Sequence, residues 1–432
     1  MPKNKTTTIH VPILARVEGE GALDVRIVNH QIQSLQLKIY EPPRLFEKFL
    51  EGRCYSDVLD MVARICGICP VAYQMSAAHA IEQCFGMQPG PWVRDMRRLF
   101  YCGEWLESHS LHIHFLAAPD FLGFKSAPDM AKVYPDIVRR GLRLQALGNE
   151  LISLLGGRSV HPVGACIGGF YQAPSCTRIQ ELLERVNARI SDCENLLTWV
   201  GSLALSDNTH NFTSVSLQHP DEYPMNEGHI VSDKGLFISP ECFDDYFKEC
   251  QVPYSTALHC LLQGKPYLVG PLARVNNNVD QLPSPIKDIL HPLGIHFPSN
   301  NMYHSIIARA VEIYYCVLEA RRILAGYVYP AAPSQDVKPR KGIGYGCTEA
   351  PRGMLWHCFE MDEEGIVQSA RIVPPTSQNQ ARIEEDLCIS LERFGLNKAD
   401  SELRAYSEMI IRNYDPCISC STHFLQLNVS RR

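Results

Sequence analysis

Two Cys-x-x-Cys pairs stand near opposite ends of this 432-residue chain. One lies in Arg64-Ile65-Cys66-Gly67-Ile68-Cys69-Pro70, the other in Asp415-Pro416-Cys417-Ile418-Ser419-Cys420-Ser421-Thr422-His423. Two residues between cysteines let both sulfurs face one point, the usual grip on a soft metal ion. If both pairs serve one site, the fold must join the ends of the chain and wrap the rest around that point. Other readings of the thiols compete. Structural zinc usually takes cysteine pairs separated by about 15–20 residues, and here almost the whole chain intervenes. Disulfides need a framework pattern, but the seventeen cysteines are scattered and no secretory segment precedes them. A redox dithiol needs one pair and leaves the other unexplained.

A hydrophobic share of 45% is enough for one large core or two medium ones. The net charge of −6, with no basic patch, argues against nucleic acid as a partner. No apolar run approaches a membrane span. Met1-Pro2-Lys3-Asn4-Lys5-Thr6 has no apolar region behind its lysines, so no signal peptide is expected. The cysteine usage fits a reducing compartment, and the expected location is the cytoplasm.

Residues 9–40 alternate apolar and polar and read as antiparallel strands, with Arg16-Val17-Glu18-Gly19-Glu20-Gly21 inside them. Residues 43–64 read as helix, with Phe46, Phe49 and Leu50 as its stripe and Glu47 one step off it. Pro70 opens a helix to about Cys84, whose free N–H groups and positive end would stabilise a nearby thiolate. Four segments then carry helical stripes: Trp92 to Ile113, Met130 to Leu155, Ile179 to Val200 and Ile306 to Leu324. They imply a helical bundle, so the fold class is mainly α with small antiparallel β elements. Residues 207–300 suggest irregular structure with short strands, and 330–341 a linker. Residues 342–373 suggest a β-hairpin with Asp362-Glu363-Glu364-Gly365 at its tip and Ala350-Pro351-Arg352-Gly353 at its base. Helices near 379–395 and 399–412 lead to the second cysteine pair, with Asp415 as its N-cap. Taken singly, Glu18, Glu47 and Arg352 read as surface charges and His161 as a packing residue.

Arg-Ile-Cys-Gly-Ile-Cys-Pro together with Asp-Pro-Cys-x-x-Cys-x-x-His resembles the large, catalytic subunit of nickel–iron hydrogenases. The wording Cys66 to Ser76 is most similar to the soluble, NAD(P)-linked sulfhydrogenase branch. The resemblance implies one domain over 1–432. It would contain an N-terminal β region (9–40), a helical core (43–325) with a central long-helix bundle flanked by α+β parts, and a hairpin and metal-binding part (342–423). It also implies an extension, 424–432, removed by a maturation protease after His423. Cys66, Cys69, Cys417 and Cys420 would hold a nickel–iron centre, Cys69 and Cys420 bridging the metals, with one carbon monoxide and two cyanides on iron. Glu47 and His423 would share a magnesium or iron ion.

For the reaction, the resemblance implies reversible heterolytic cleavage of H2. Cys417 would serve as base, Glu18 as the proton gate beside it, and Pro351 and Arg352 would overhang the open face. Thr376 would contact the ligands on iron. Tyr73, Ser108 and Glu20 stand where the family commonly has His, Asp and His. This chain has neither an iron–sulfur motif among its other cysteines nor a Gly-x-Gly-x-x-Gly fingerprint. Electrons would therefore leave through an iron–sulfur small subunit toward flavin- and NAD(P)-binding and ferredoxin-like subunits, which alone would carry FAD and the clusters. The competing readings are a metal-free fold relative and a zinc-binding structural subunit.

Overall fold

The computed structural model describes residues 6–422, so the expectations for His423 and 424–432 lie outside the described residues. The alternating N-terminal segment forms a three-stranded antiparallel sheet, Thr6–Val11, Gly21–Val28 and Gln31–Ile39, in sequence order. Val25 pairs with Ile9 on one side and Leu35 on the other. Glu18 lies not in a strand but in the connection after the first, where it forms an isolated parallel bridge with Cys417.

The Pro70–Phe85 helix organises the interior. It starts on proline, ends at Gly86 in the left-handed conformation (φ 68°), and buries thirteen of its sixteen residues. A helix apolar on nearly every side has to be covered on every side. One cover is the strand Gly342–Ala350, whose glycines alternate along one face. A Cβ on Gly344 would stand 1.9 Å from the Ala80 carbonyl oxygen, and one on Gly346 2.0 Å from that of Ser76. The two-residue period of the strand thus meets the four-residue period of the helix at backbone contact. Gly346→Ala is expected to destabilise by about 3 kcal/mol, because backbone on both sides must move. A lowered thermal unfolding midpoint would show it; an unchanged one would mean the contact is loose.

Pro91–Leu111 packs against this helix, and Pro135–Gly156 and Ser305–Ala325 pack in turn against Pro91–Leu111. The stripe from Met130 to Leu155 is two helices, Ala127–Val133 and Pro135–Gly156, because Pro135 lacks the N–H that would join them. Val133 accordingly ends exposed. The stripe from Ile179 to Val200 also divides, into Cys176–Asn187 and Ile190–Gly201. Residues 43–64 form two short helices, Phe46–Leu50 and Tyr55–Val62. Gly52 (φ 80°) breaks them apart, and its N–H donates to Val367 O (2.8 Å) while Tyr55 N–H donates to Gly365 O (2.8 Å). Phe49 is therefore exposed rather than part of a buried stripe.

Residues 342–373 are a three-stranded meander rather than a single hairpin: Gly342–Ala350, Gly353–Met361 and Val367–Val373. Asp362 to Gly365 does form a turn, the second one, while Pro351 and Arg352 form the first. The first turn lies at the end of the sheet opposite the second, at the base of the hairpin that Asp362 to Gly365 tips. The last helices are Pro375–Phe394 and Asp400–Tyr414. Short strands such as Val215–Gln218 and His229–Ser232 occupy the middle of the chain, as its composition suggested. All four paired cysteines belong to the largest apolar cluster, at the start of the Pro70–Phe85 helix.

Candidate metal centre

The chain's two ends meet at the sulfurs. Cys66 Sγ lies 3.3 Å from Cys417 Sγ, Cys69 Sγ 3.4 Å from Cys420 Sγ, and Cys420 Sγ 3.1 Å from Cys417 Sγ. All four lie within 4.8 Å of one another and are buried. These spacings are too long for disulfide bonds of about 2.05 Å. They match atoms sharing a cation at about 2.3 Å each, which can stand at most about 4.6 Å apart. The donor set therefore fits a thiolate-bound soft metal group. Packing the thiols together pushes Cys417 well up, through its contacts with Cys420, Cys66 and Cys69 and through burial. The hydrogen bonds from Cys417, Cys420 and Cys69 instead bring Cys66 well down.

Arg44 and the Glu18 loop tie the two cysteine segments in place. Arg44 donates to Ile65 O (2.6 Å) and to Ser419 O, and its N–H to Thr422 O (2.7 Å). The Ile418 N–H donates to Glu18 O (3.0 Å). The Glu18 carboxylate accepts from Cys417 Sγ (3.1 Å), Ser419 N (3.0 Å) and the Ser419 hydroxyl, which also stands 3.0 Å from Glu41 Oε1. Gly19 (φ 85°) makes room for this, since a Cβ there would come within 2.6 Å of Ile418.

Arg352 is buried over the same sulfurs. Its Nε donates to Asp415 O (2.7 Å) and its Nη2 to Asp415 Oδ1 (3.1 Å), while Nη1 has no partner among the described residues. Burial alone would lower its affinity for a proton, but Asp415 and the sulfurs of Cys417, Cys69 and Cys66 outweigh that and hold it charged. Asp415 is thus not the N-cap of the cysteine turn. It closes the Asp400–Tyr414 helix in the left-handed conformation (φ 56°), a region Asp tolerates, and spends its carboxylate on Arg352. This pairing gives the buried Arg352 its acidic partner. Sequence reasoning missed it because the partners are 63 residues apart and Asp-Pro reads as a helix start.

Thr376 lies in the first turn of the Pro375–Phe394 helix, where its hydroxyl oxygen accepts from Cys417 N (3.1 Å). Glu47 is on the short Phe46–Leu50 helix and accepts from Ile372 N (2.8 Å). The Tyr73 hydroxyl lies beside Cys420 and Cys69, and its burial, together with their charge, pushes it well up. Glu20 is exposed. His161 bonds the Ala63 carbonyl through Nδ1 (2.8 Å), the packing role expected of it.

Two buried acids were not legible as such. Glu104 accepts from Val71 N (2.6 Å) and Ala72 N (3.1 Å), so it, rather than a thiolate, takes the free N–H groups at the start of the Pro70–Phe85 helix. Burial pushes its carboxyl well up despite those two donors. Glu312 bonds Arg274 through both its oxygens, at 2.8 Å each, and Arg274 also donates to Ala350 O (2.7 Å) and Pro351 O (2.9 Å). Arg274 thereby fixes the turn carrying Arg352. Burial would raise Glu312, but Arg274 and His109 overcome it and hold it at about 2.

Glu107, nearly buried beside them, is pushed to about 7 by burial, against a weaker pull from Gln145. A carboxyl raised on folding makes the native state bind more protons between its ordinary value and about 7. Stability should therefore fall as pH rises across that window, by up to about 3 kcal/mol. In Glu107→Gln the thermal midpoint should vary less between pH 5 and 7; an unaltered pH profile would contradict the assignment.

The sequence profile of the nickel-dependent hydrogenases matches residues 44–134 and 241–423. The chain is 31% identical over 433 residues to sulfhydrogenase 1 subunit alpha of Pyrococcus furiosus, an alignment covering 98% of this chain and 100% of that one. It is 26% identical to NAD-reducing hydrogenase HoxS subunit beta of Cupriavidus necator, over 95% and 94% of the two chains. A crystal structure of an NAD+-reducing nickel–iron hydrogenase in the H2-reduced state superposes with a TM-score of 0.88 at 25% identity, covering 96% and 99%. The chain belongs to the nickel-dependent hydrogenase family, as a large subunit with the nickel–iron hydrogenase fold. Its relatives include sulfhydrogenase and NAD-reducing types, and its activity is that of a hydrogenase.

Proposed function

We propose that this large subunit cleaves H2 reversibly into two protons and two electrons and passes the electrons through an iron–sulfur small subunit toward NAD(P). The observation that carries this is the buried set of four cysteine sulfurs with the Glu18 carboxylate on one of them. A bound nickel–iron group, with one carbon monoxide and two cyanides on iron, would supply the electron-accepting half of the reaction, and Cys66, Cys69, Cys417 and Cys420 would hold it. Cys417 takes the proton and Glu18, aligned by the Ser419 N–H and hydroxyl, receives it. Arg352 is a positioning residue: its Asp415 tether leaves one N–H pair free, and a guanidinium does not give up its proton in this range. Pro351 shapes that turn, and the Thr376 hydroxyl orients the Cys417 amide and would contact the iron's ligands.

Glu47, with His423, takes a magnesium or iron ion, a hard cation suited to carboxylate. The chain is read as one domain whose long helices form a central bundle, with residues 424–432 removed after His423 by a maturation protease. Exit of electrons on the cysteine side is supported by exposure of Arg64 and Gly67, which flank Cys66. Among the described residues no further cysteine set resembles a cluster site, and the proposed carriers of FAD and iron–sulfur clusters are flavin/NAD(P)-binding and ferredoxin-like partners. Among the described residues no helix is long and apolar enough to cross a membrane. The proposed location is the cytoplasm. Elemental analysis and infrared spectra of the purified complex test this reading. Nickel and iron with carbon monoxide and cyanide bands are expected; zinc alone, or no metal, would overturn it.

A further inference from the structure

Among the described residues the Glu18 carboxylate has three hydrogen-bond partners, and a single one of them can carry a proton away. Cys417 Sγ is the donor from which the proton comes, and Ser419 N is a backbone amide that keeps its hydrogen near neutral pH. The third is the Ser419 hydroxyl, which meets Glu18 Oε1. The same hydroxyl oxygen stands 3.0 Å from Glu41 Oε1, so one oxygen joins two carboxylates. A serine hydroxyl has one hydrogen to donate and two lone pairs to accept with. It can therefore accept from a protonated carboxyl on one side while it donates to a carboxylate on the other.

The surrounding chain fixes these three groups in order. Ser419 is gripped at its carbonyl by Arg44 and at its N–H by Glu18. The Glu41 carbonyl accepts from the Thr256 hydroxyl (2.9 Å), and its Oε2 accepts from Glu20 N (3.4 Å). The Glu41 carboxylate fills space that a side chain at Gly19 would need, since a Cβ there would stand 2.7 Å from Oε2. Glu18, Ser419 and Glu41 are all half-buried, but the neighbours of Glu41, namely Tyr40, Pro42 and Glu20, are exposed. The row of oxygens thus starts at the sulfur of Cys417 and ends at the surface.

We propose that Ser419 and Glu41 are the next two carriers of the proton after Glu18. This rests on the reading of Glu18 as the group that receives the proton from Cys417. The protonated Glu18 carboxyl turns over about its last side-chain bond, a soft two-fold torsion, and presents its O–H to Ser419 Oγ. That O–H bond breaks as a new one forms on Ser419, and the former Ser419 hydrogen passes to Glu41 Oε1. Glu18 is left a carboxylate, Ser419 a hydroxyl and Glu41 a carboxylic acid, which gives its proton to water. One proton enters, one leaves and no electron moves; the same steps reversed serve H2 formation.

The test is made on the purified complex carrying Ser419→Ala, Ser419→Thr or Glu41→Gln, with nickel and iron contents measured beside H2 oxidation. Ser419→Ala and Glu41→Gln are expected to lower turnover at least about tenfold, with metal contents at the parent level and a larger solvent deuterium isotope effect. Ser419→Thr, which keeps a hydroxyl, should retain most of the turnover. On H2 reduction the infrared C=O band of a protonated carboxyl should build up in Ser419→Ala above the parent, and adding Glu18→Gln should remove it. Should Ser419→Ala fail to load nickel, Glu41→Gln decides, because Glu41 lies outside the cysteine turns. Parent turnover in Ser419→Ala or Glu41→Gln while Glu18→Gln is blocked would overturn the relay alone, with Glu18 giving its proton directly to water. Full isotope exchange in Glu18→Gln would instead remove the reading on which the relay rests. Turnover lost only in step with nickel in both variants would also overturn it, leaving the hydroxyl as a tie between two loops.

Discussion

Replacing Cys66 or Cys417 by serine is expected to reduce deuterium–water isotope exchange to below about 1% of the parent, because the chemistry depends on soft thiolates held together. The two sulfurs stand 3.3 Å apart, and each belongs to a set lying within 4.8 Å. A serine oxygen is harder, sits closer to its Cα, and does not ionise near neutral pH, so it is a poor ligand for nickel. The loss should therefore appear first in composition: nickel content falls and the carbon monoxide and cyanide bands weaken together. The fold should persist, because oxygen and sulfur differ little in volume and the cysteine turns are tied by backbone bonds such as Ile418 N–H to Glu18 O. Cys176→Ser, an exposed thiol outside the set, is the control and should change neither metal nor exchange. Retained exchange in Cys66→Ser and Cys417→Ser would remove the basis for the proposed centre.

The parts of this fold legible in the sequence are those whose cause is local. Pro70 and Gly86 bracket the helix that follows the first cysteine pair, and alternation from residue 9 onward gives the first sheet. Apolar stripes marked the long helices, but a stripe runs on across Pro135 and across residues 188–189, where the backbone changes direction and the facing side does not. The meander at 342–373 was read as one hairpin because Ala350-Pro351-Arg352-Gly353 turns as tightly as the tip at Gly365. At the site, cysteine spacing and the family resemblance pointed to the sulfurs and Glu18. What holds them could not be read that way. Glu104, Arg274 and Glu312 are single charges on otherwise ordinary helices, and only the fold shows that each is buried against a particular backbone or partner. Asp415 sits in a sequence that suits an N-cap, and only its left-handed backbone and distant Arg352 reveal otherwise.

Glu18→Gln is expected to lower H2 turnover and isotope exchange by about 100-fold or more while nickel and iron contents stay at parent levels. An amide oxygen can still accept from Cys417 Sγ, now 3.1 Å from a carboxylate oxygen, so the loop and the sulfurs keep their places. What the amide cannot do is take up a proton and release it. Its NH2 group can face the Ser419 hydroxyl, which then accepts from the amide and donates to Glu41 Oε1, so the local hydrogen bonds rearrange and the thermal midpoint should change little. The two effects separate because a structural role alone would lower stability and metal retention together, whereas a proton-transfer role leaves both nearly intact and stops exchange. Full isotope exchange in a metal-replete Glu18→Gln complex would mean that the proton from Cys417 leaves by another path. The contact between Glu18 and Cys417 would then serve only to hold the second cysteine pair against the N-terminal loop.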